Sequence, residues 1–438
     1  MTQAVRHDAM RARNLALVLG AVGARGSVTR AALAEMTGLT KTTVSKLVGD
    51  LIEGGLVVET GAVRDGERGR PGVEIRISGQ RVAALGLEIN VDYLAVCVVD
   101  LARTVRLRRT QAVDNQAAPP VDVIARLGDL ASTVVDEAVE KGLRVVGGVL
   151  AVPGPVDMAT GAVRNAPNLG WRDVPLASLL RFPFPVRVEN EANLAALGEL
   201  WFGSGLPDFL HVSGEIGIGA GLVVRGRLFR GAHGFAGELG HVVVSPDGPP
   251  CRCGGRGCLE QYAGQDALLS AARAAAPVHP APGTRPAGAS GDVPADAARE
   301  RVEATSDVPL DDGNGAGDET EMLLPAQQGV SWMLSRLREG DENARAACER
   351  AAWALGVALS SAVNLVDPDA IVLGGIYAPL FPWIGHTVAD TLKVRLGQMR
   401  GAVPPVVVSR LGAEAAALGA AGQVIEQVMA DPAALLHT

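Results

Sequence analysis

The 438-residue chain reads as an α/β protein: a small winged helix-turn-helix at the N-terminus, then two similar α/β lobes with a cleft between them. Three observations lead there. Residues 1–80 show helical apolar spacing followed by a hairpin pattern, and carry 11 Lys+Arg against 8 Asp+Glu, a net +3. From residue 81 a run of three strands, then helix and strand in alternation, occurs twice. The length exceeds what one core supports and predicts two or three domains, while an apolar share of 48% excludes wholesale disorder.

In the head, Leu15, Val18, Leu19 and Val22 lie at i, i+3, i+4 and i+7, one face of a helix that Gly23 and Gly26 end. Thr29 caps a second helix to Thr37, with Leu33 and Met36 expected inward. Gly38 makes the turn. Thr40 caps a third helix with Val44, Leu47, Val48, Leu51 and Ile52 on its buried side. The opposite face offers Lys41, Thr42, Thr43, Ser45 and Lys46. Strands Leu56–Thr60 and Val73–Ile77 flank the loop RDGERGRPG, whose Arg68 and Arg70 suit a phosphate track or a minor groove. Small polar and basic groups on the third helix suit the major groove. A helical protein-interaction module with a solvated basic face would show part of this pattern. The Arg-rich wing tips the reading to DNA.

The lobes follow. Ala83–Ile89, Leu94–Asp100 and Val105–Gln111 predict a meander, with a helix at Val121–Lys141 and a buried strand, Val145–Val152, ending in PGPVD. Val186–Asn190 is a strand feeding a helix through Phe202. Strands resume at Phe209–Ser213, Ala220–Val224 and Leu228. A helix (Asn343–Asn364), a strand (Ala370–Leu373), a short strand (Val406–Val408) and an Ala-rich helix (Ala413–Met429) complete the chain. The expected domains are 1–80, 81–204 completed by a C-terminal helix within 412–435, and 205–411. Residues 277–325, with 7 Pro and 10 Asp+Glu against 3 Arg, read as a disordered acidic insertion.

The formal net charge of -8 argues against a generic polyanion binder, but the insertion alone supplies -7 of it. Ala370–Ala389 is uncharged, yet Pro379, Pro382 and its glycines make it strand, turn and helix rather than a membrane span. With no apolar leader after Met1, the expected location is cytoplasmic.

Five cysteines, an odd number, argue against a disulfide scaffold. Cys251, Cys253 and Cys258 fall within eight residues, with His241 ten residues upstream of the first. Three thiolates and one imidazole describe a closed, structural Zn²⁺ site.

This segment, GELGHVVVSPDGPPCRCGGRGCLE, resembles the signature of the ROK family of sugar kinases and sugar-responsive repressors. PGPVD, NAPNLGW, ENEAN and GIGAGLV occur in the family's order, and the resemblance spans about residues 80–435. It implies a two-lobed actin/hexokinase-like (ribonuclease H-like) fold, and the head matches the repressor branch. It also implies a sugar pocket from Asn168, Asn190, Glu191, Glu238, His241 and Glu260, with Glu191 standing where the kinases carry a catalytic Asp. Carboxylates and amides on rigid loops suit the paired hydroxyls of a sugar. His241 would serve both Zn²⁺ and the pocket.

The phosphate loops depart from the kinase pattern. The stretch matching DxGxT reads Glu88-Ile89-Asn90-Val91-Asp92, and the one matching GTGIG reads Glu215-Ile216-Gly217-Ile218-Gly219. Added carboxylates repel a polyphosphate. The expected function is therefore a sugar-responsive repressor, a homodimer or homotetramer on operator DNA, without phosphotransfer. An active sugar kinase with a DNA-binding head, or a DNA-binding protein whose second part only dimerises, are the alternatives.

Overall fold

Thr29 and Thr40 begin the second and third helices as the sequence predicts. Each hydroxyl accepts a hydrogen bond from the backbone N–H three residues on, at 3.3 and 3.2 Å. The computed structural model describes residues 2–63, 72–116, 118–274, 325–398 and 400–436. Residues 277–324 of the acidic stretch and both wing arginines, Arg68 and Arg70, lie outside the described residues, while Pro325 opens a helix.

The head comprises helices Thr2–Arg25, Arg30–Thr37 and Lys41–Glu53 and a three-stranded antiparallel sheet of Val28–Thr29, Gly72–Ile77 and Val57–Val63. Leu15, Val18, Leu19, Val22, Leu33, Val44, Leu47, Val48 and Leu51 form its core. Met36 departs from expectation: it is 44% exposed, because the second helix is only eight residues long and Leu33 alone is buried on it.

Behind the head stand two five-stranded sheets of the same topology. In the first, Val82–Ile89 lies between its antiparallel hairpin partner Tyr93–Asp100 and the parallel strand Arg144–Val152, with Val105–Ala112 and Val186–Asn190 at the edges. In the second, Phe209–Gly214 lies between Ile218–Val224 and the parallel strand Ala370–Gly375, with Arg227–Phe229 and Val406–Val408 outside. The two parallel central strands of each sheet are nearly continuous in buried residues, as expected for strands covered on both faces. The supposed span resolves into strand Ala370–Gly375 and helix Tyr377–Leu396. Among the described residues no helix is long and apolar enough to cross a membrane. Periodicity did not reveal the small hairpin Val163–Ala166/Trp171–Val174 or the helices Gln265–Arg273 and Pro325–Arg338.

Helix Glu191–Phe202 and helix Ala415–Ala430 cross between the sheets. Their contact is unusually close. A Cβ at Gly198 would strike the Ala415 carbonyl, one at Gly419 the Leu194 carbonyl, and one at Gly86 the Ala417 carbonyl. Backbone therefore meets backbone where these elements pack. The same terminal helix also reaches the head, where Met429 meets Gly23 of the first helix, and its Val424, Ile425 and Val428 lie in a core continuous with that of the head.

Gly419→Ala should cost about 1–3 kcal/mol, because the struck atom is backbone and cannot step aside. Gly20→Ala, with nothing within 4 Å of the added Cβ, should be neutral or stabilise by up to about 1 kcal/mol. Urea midpoints for the two variants compare these directions.

Candidate functional site

Four of the residues proposed for a sugar pocket converge at the mouth of the cleft. Asn168 lies on the turn between strands Val163–Ala166 and Trp171–Val174. Glu260 opens the short helix after the last clustered cysteine, and its Oε2 accepts from the Ile218 N–H at 3.3 Å. Gly217 separates the two: a Cβ there would lie 2.6 Å from Glu260 Oε2 and 3.3 Å from Asn168 Nδ2. Only glycine leaves both groups room to face a ligand. Glu238 and His241 stand three residues apart, with Glu238 Oε2 3.9 Å from His241 Nε2. Partial burial pushes the Glu238 carboxyl up from its usual range; His241 opposes this and Glu260 adds to it.

Asn190 plays a different part. Its Oδ1 accepts from the Asn193 N–H at 3.1 Å, capping helix Glu191–Phe202, and its Nδ2 donates to the Gly154 carbonyl at 3.0 Å. The side chain thus ties the PGPVD loop to the helix start. Glu191 lies not with the four but deeper, on a cavity it shares with Glu88, Glu215, Ser213 and Gly217.

That cavity concentrates acid groups from both lobes. The Glu88 carboxyl is pushed up to about 8 by burial first and by Glu215 second. Burial and Asp92 push Glu215 up to about 7, against the opposing hydrogen bond from Asn90. Burial, Glu215 and Glu88 hold Glu191 well above its usual value. Tyr93 donates its hydroxyl to Glu88 at 2.6 Å, and the Asn90 amide spans the lobes to Glu215. Glu88 Oε2 is buried with no hydrogen-bond partner.

His241, Cys251, Cys253 and Cys258 come together with all ligand atoms within 4.8 Å of one another. The His241 Nδ1–Cys251 Sγ distance is 3.8 Å and the Cys253 Sγ–Cys258 Sγ distance 3.7 Å. Tetrahedral thiolate coordination at about 2.3 Å spaces sulfurs by about 3.8 Å, so the donor set fits Zn²⁺. The Gly255 N–H holds the Cys253 thiol below its ordinary value, while burial pushes Cys258 up to about 12. Three thiolates at this spacing would need a cation to offset their repulsion. With Nδ1 turned to the sulfurs, His241 Nε2 faces Glu238.

The sequence reading missed Arg252. Set between two clustered cysteines, it donates to Asn168 Oδ1 at 3.0 Å and so links the cysteine loop to the pocket. Its position inside CRC was the available signal. It also missed the ion pair of Arg230 with buried Glu189, at 2.7 Å.

On the head, Lys41, Thr42, Ser45 and Lys46 are exposed along one face of the third helix. Thr43 is half-buried, its hydroxyl paired with that of Thr40 at 2.9 Å, so it belongs to the cap more than to the face.

The ROK family model matches residues 84–427, and the MarR family model matches residues 15–68. A protein named xylose repressor from Caldicellulosiruptor bescii is 27% identical over 97% of this chain and 98% of its own length. The xylose repressor of Bacillus subtilis is 26% identical over 95% of this chain and 96% of its own. A glucokinase from Streptomyces coelicolor is 31% identical, covering 77% of this chain and 97% of that protein. Among solved structures, a ROK family transcriptional regulator described as a homologue of the E. coli MLC protein shares the fold. Its TM-score is 0.72 at 22% identity, over 98% of this chain and 100% of the other. Twin sheets of one topology, the His/Cys cluster and a family match across most of the lobes lead to one conclusion: the chain belongs to the ROK family and carries a MarR-type winged helix at its N-terminus.

Proposed function

We propose that the protein is a sugar-responsive transcriptional repressor whose hold on operator DNA is set by a sugar in the cleft. One observation carries this reading: a single helix, Ala415–Ala430, is packed both against the cleft helix Glu191–Phe202 and against the head. The whole-length likeness to proteins named xylose repressor supports it. Asn168, Glu238, His241 and Glu260 would hold sugar hydroxyls, with Arg252 beside them. Asn190 would shape the pocket by fixing the PGPVD loop. Sugar bound more tightly to one lobe arrangement than the other shifts the terminal helix and so the recognition helices. In a homodimer or homotetramer two such heads meet a two-fold operator. DNA as the partner places the work in the cytoplasm.

The residues 1–80 would be the DNA-binding unit, residues 81–204 with the terminal helix the first sugar-binding lobe, and residues 205–411 the second. Lys41, Thr42, Ser45 and Lys46, with Arg68 and Arg70, would contact DNA. Zn²⁺, held by His241, Cys251, Cys253 and Cys258, would act structurally, fixing Arg252 and the His241 ring toward the pocket.

The kinase reading has support from the glucokinase relatives. Against it stand Glu88 and Glu215 in the stretches that match the kinase phosphate loops, and Glu191 at the position of the kinases' catalytic Asp, all three on one cavity. A coupled assay with ATP and a sugar panel should give no turnover, while the same panel should yield a sugar that raises the melting temperature and changes operator affinity. Robust turnover would return the protein to the kinases.

Elemental analysis of the purified chain should find one zinc per protomer. Cys253→Ser should lose it and weaken sugar binding; unchanged metal content removes the site. Lys46→Ala should weaken operator binding about equally across sequences and reduce the salt slope by about 1. A slope that stays put, measured by fluorescence anisotropy between 50 and 200 mM salt, would take Lys46 off the DNA.

A further inference from the structure

We propose that Glu88, Glu191 and Glu215 form an anion filter beside the sugar pocket, so that the protein accepts neutral sugars and rejects their terminal phosphate monoesters. The inference rests on the sugar-sensing reading above and specifies its ligand class.

Geometry supplies the argument. Gly217 lines both compartments: on one side are Asn168 and Glu260, on the other the cavity of the three carboxyls. A substituent projecting past Gly217 from a bound sugar therefore enters the acid cavity. Glu88 comes from strand Val82–Ile89, Glu191 from the start of the cleft helix, and Glu215 from the turn after Phe209–Gly214. The first two belong to one sheet's side of the cleft and the third to the other. Small residues complete the wall: Ala192, Ala195, Gly219, Gly412 and Ala413.

The other ionisable groups that bear on the three are also acidic: Tyr93 and Cys97 against Glu88, and Asp92 against Glu215. Among the described residues no guanidinium or ammonium lines the cavity. A phosphate entering here meets three carboxyls, with the Ser213 hydroxyl the one other polar side chain among the described lining residues, and it is tolerated best while the carboxyls carry protons. Burial, with Glu215 acting on Glu88 and Asp92 acting on Glu215, holds Glu88 near 8 and Glu215 near 7, so both ionise as the pH rises through that window. Each ionised carboxylate then repels the phosphate. A unit-charge pair about 6 Å apart in a partly buried site changes affinity on the order of 100-fold. A neutral sugar hydroxyl meets no such repulsion. Discrimination should thus widen as the pH rises, and its cause is proton loss from the protein, since a phosphate monoester with a second pKa near 6 is already mostly dianionic by pH 7.

The test is titration calorimetry on the full-length protein at pH 7, 8 and 9. D-glucose, D-mannose and N-acetyl-D-glucosamine are compared with their 6-phosphates. For the tightest neutral sugar, the affinity ratio of sugar to sugar phosphate should grow at least tenfold from pH 7 to pH 9. Glu88→Gln and Glu215→Gln, which keep shape and hydrogen bonding, should each flatten that growth and leave neutral-sugar affinity within a few fold. If the neutral sugar binds but its phosphate binds as well at every pH, the sensing function stands and the filter falls. A ratio that grows equally in both variants also overturns it. Binding of no neutral sugar by the folded protein sinks the sensing reading and the filter together.

Discussion

The contact on which the rest of the structure depends is backbone against backbone, where helix Ala415–Ala430 crosses helix Glu191–Phe202 and strand Val82–Ile89. Gly86, Gly198 and Gly419 leave no side chain in the way, and the neighbouring surfaces are almost all alanine. Small residues allow the two helices to approach until dispersion forces act over their full lengths. They also make the joint intolerant of change, since no rotamer can relieve a clash with a carbonyl. A joint of this kind transmits a displacement rather than absorbing it. That matters because the same terminal helix packs on the head, with Met429 against Gly23 of the first helix. The cleft helix, the terminal helix and the first helix of the head form one packed series.

Placed around this joint, the two compartments of the cleft have opposite electrostatic characters. The outer one mixes amide, guanidinium, imidazole and carboxylate, with Arg252 donating to Asn168 and Glu238 facing His241. Such a mixture suits hydroxyls, which both donate and accept. The inner one gathers three carboxyls beside the Ser213 hydroxyl and small residues, and burial raises those carboxyls above their usual range. Gly217 borders both: it lines the acid cavity, and a Cβ on it would press on Glu260 and Asn168. The cysteine loop braces the outer compartment: Cys251 and Cys253 flank Arg252, so whatever fixes the sulfurs fixes the guanidinium.

Much of this was legible in the residue order. Local periodicity gave the three helices of the head, with Thr29 and Thr40 as caps, because a cap and an amphipathic stripe are decided within a few residues. The doubled run of strands announced twin sheets, and the spacing of three cysteines after a histidine announced the cluster. Met36 shows the limit of such reading, since its exposure depends on where a short helix happens to end against its neighbours. The hairpin around Asn168 was missed because its strands are four residues each, too short for a pattern of period two to stand out.

Sequence alone determined the elements, their order, the family and which residue types could serve a ligand, since propensity, capping and motif spacing are local properties. Only the tertiary structure decided how those residues divide. Asn190 became a cap rather than a free pocket amide. Glu191 joined Glu88 and Glu215 instead of Glu238 and Glu260. The physical reason is that Glu88, Glu191 and Glu215 are far apart in the chain and meet only where two sheets and a glycine-lined joint close on each other. Their shared burial, which sets their charge, does not exist until then.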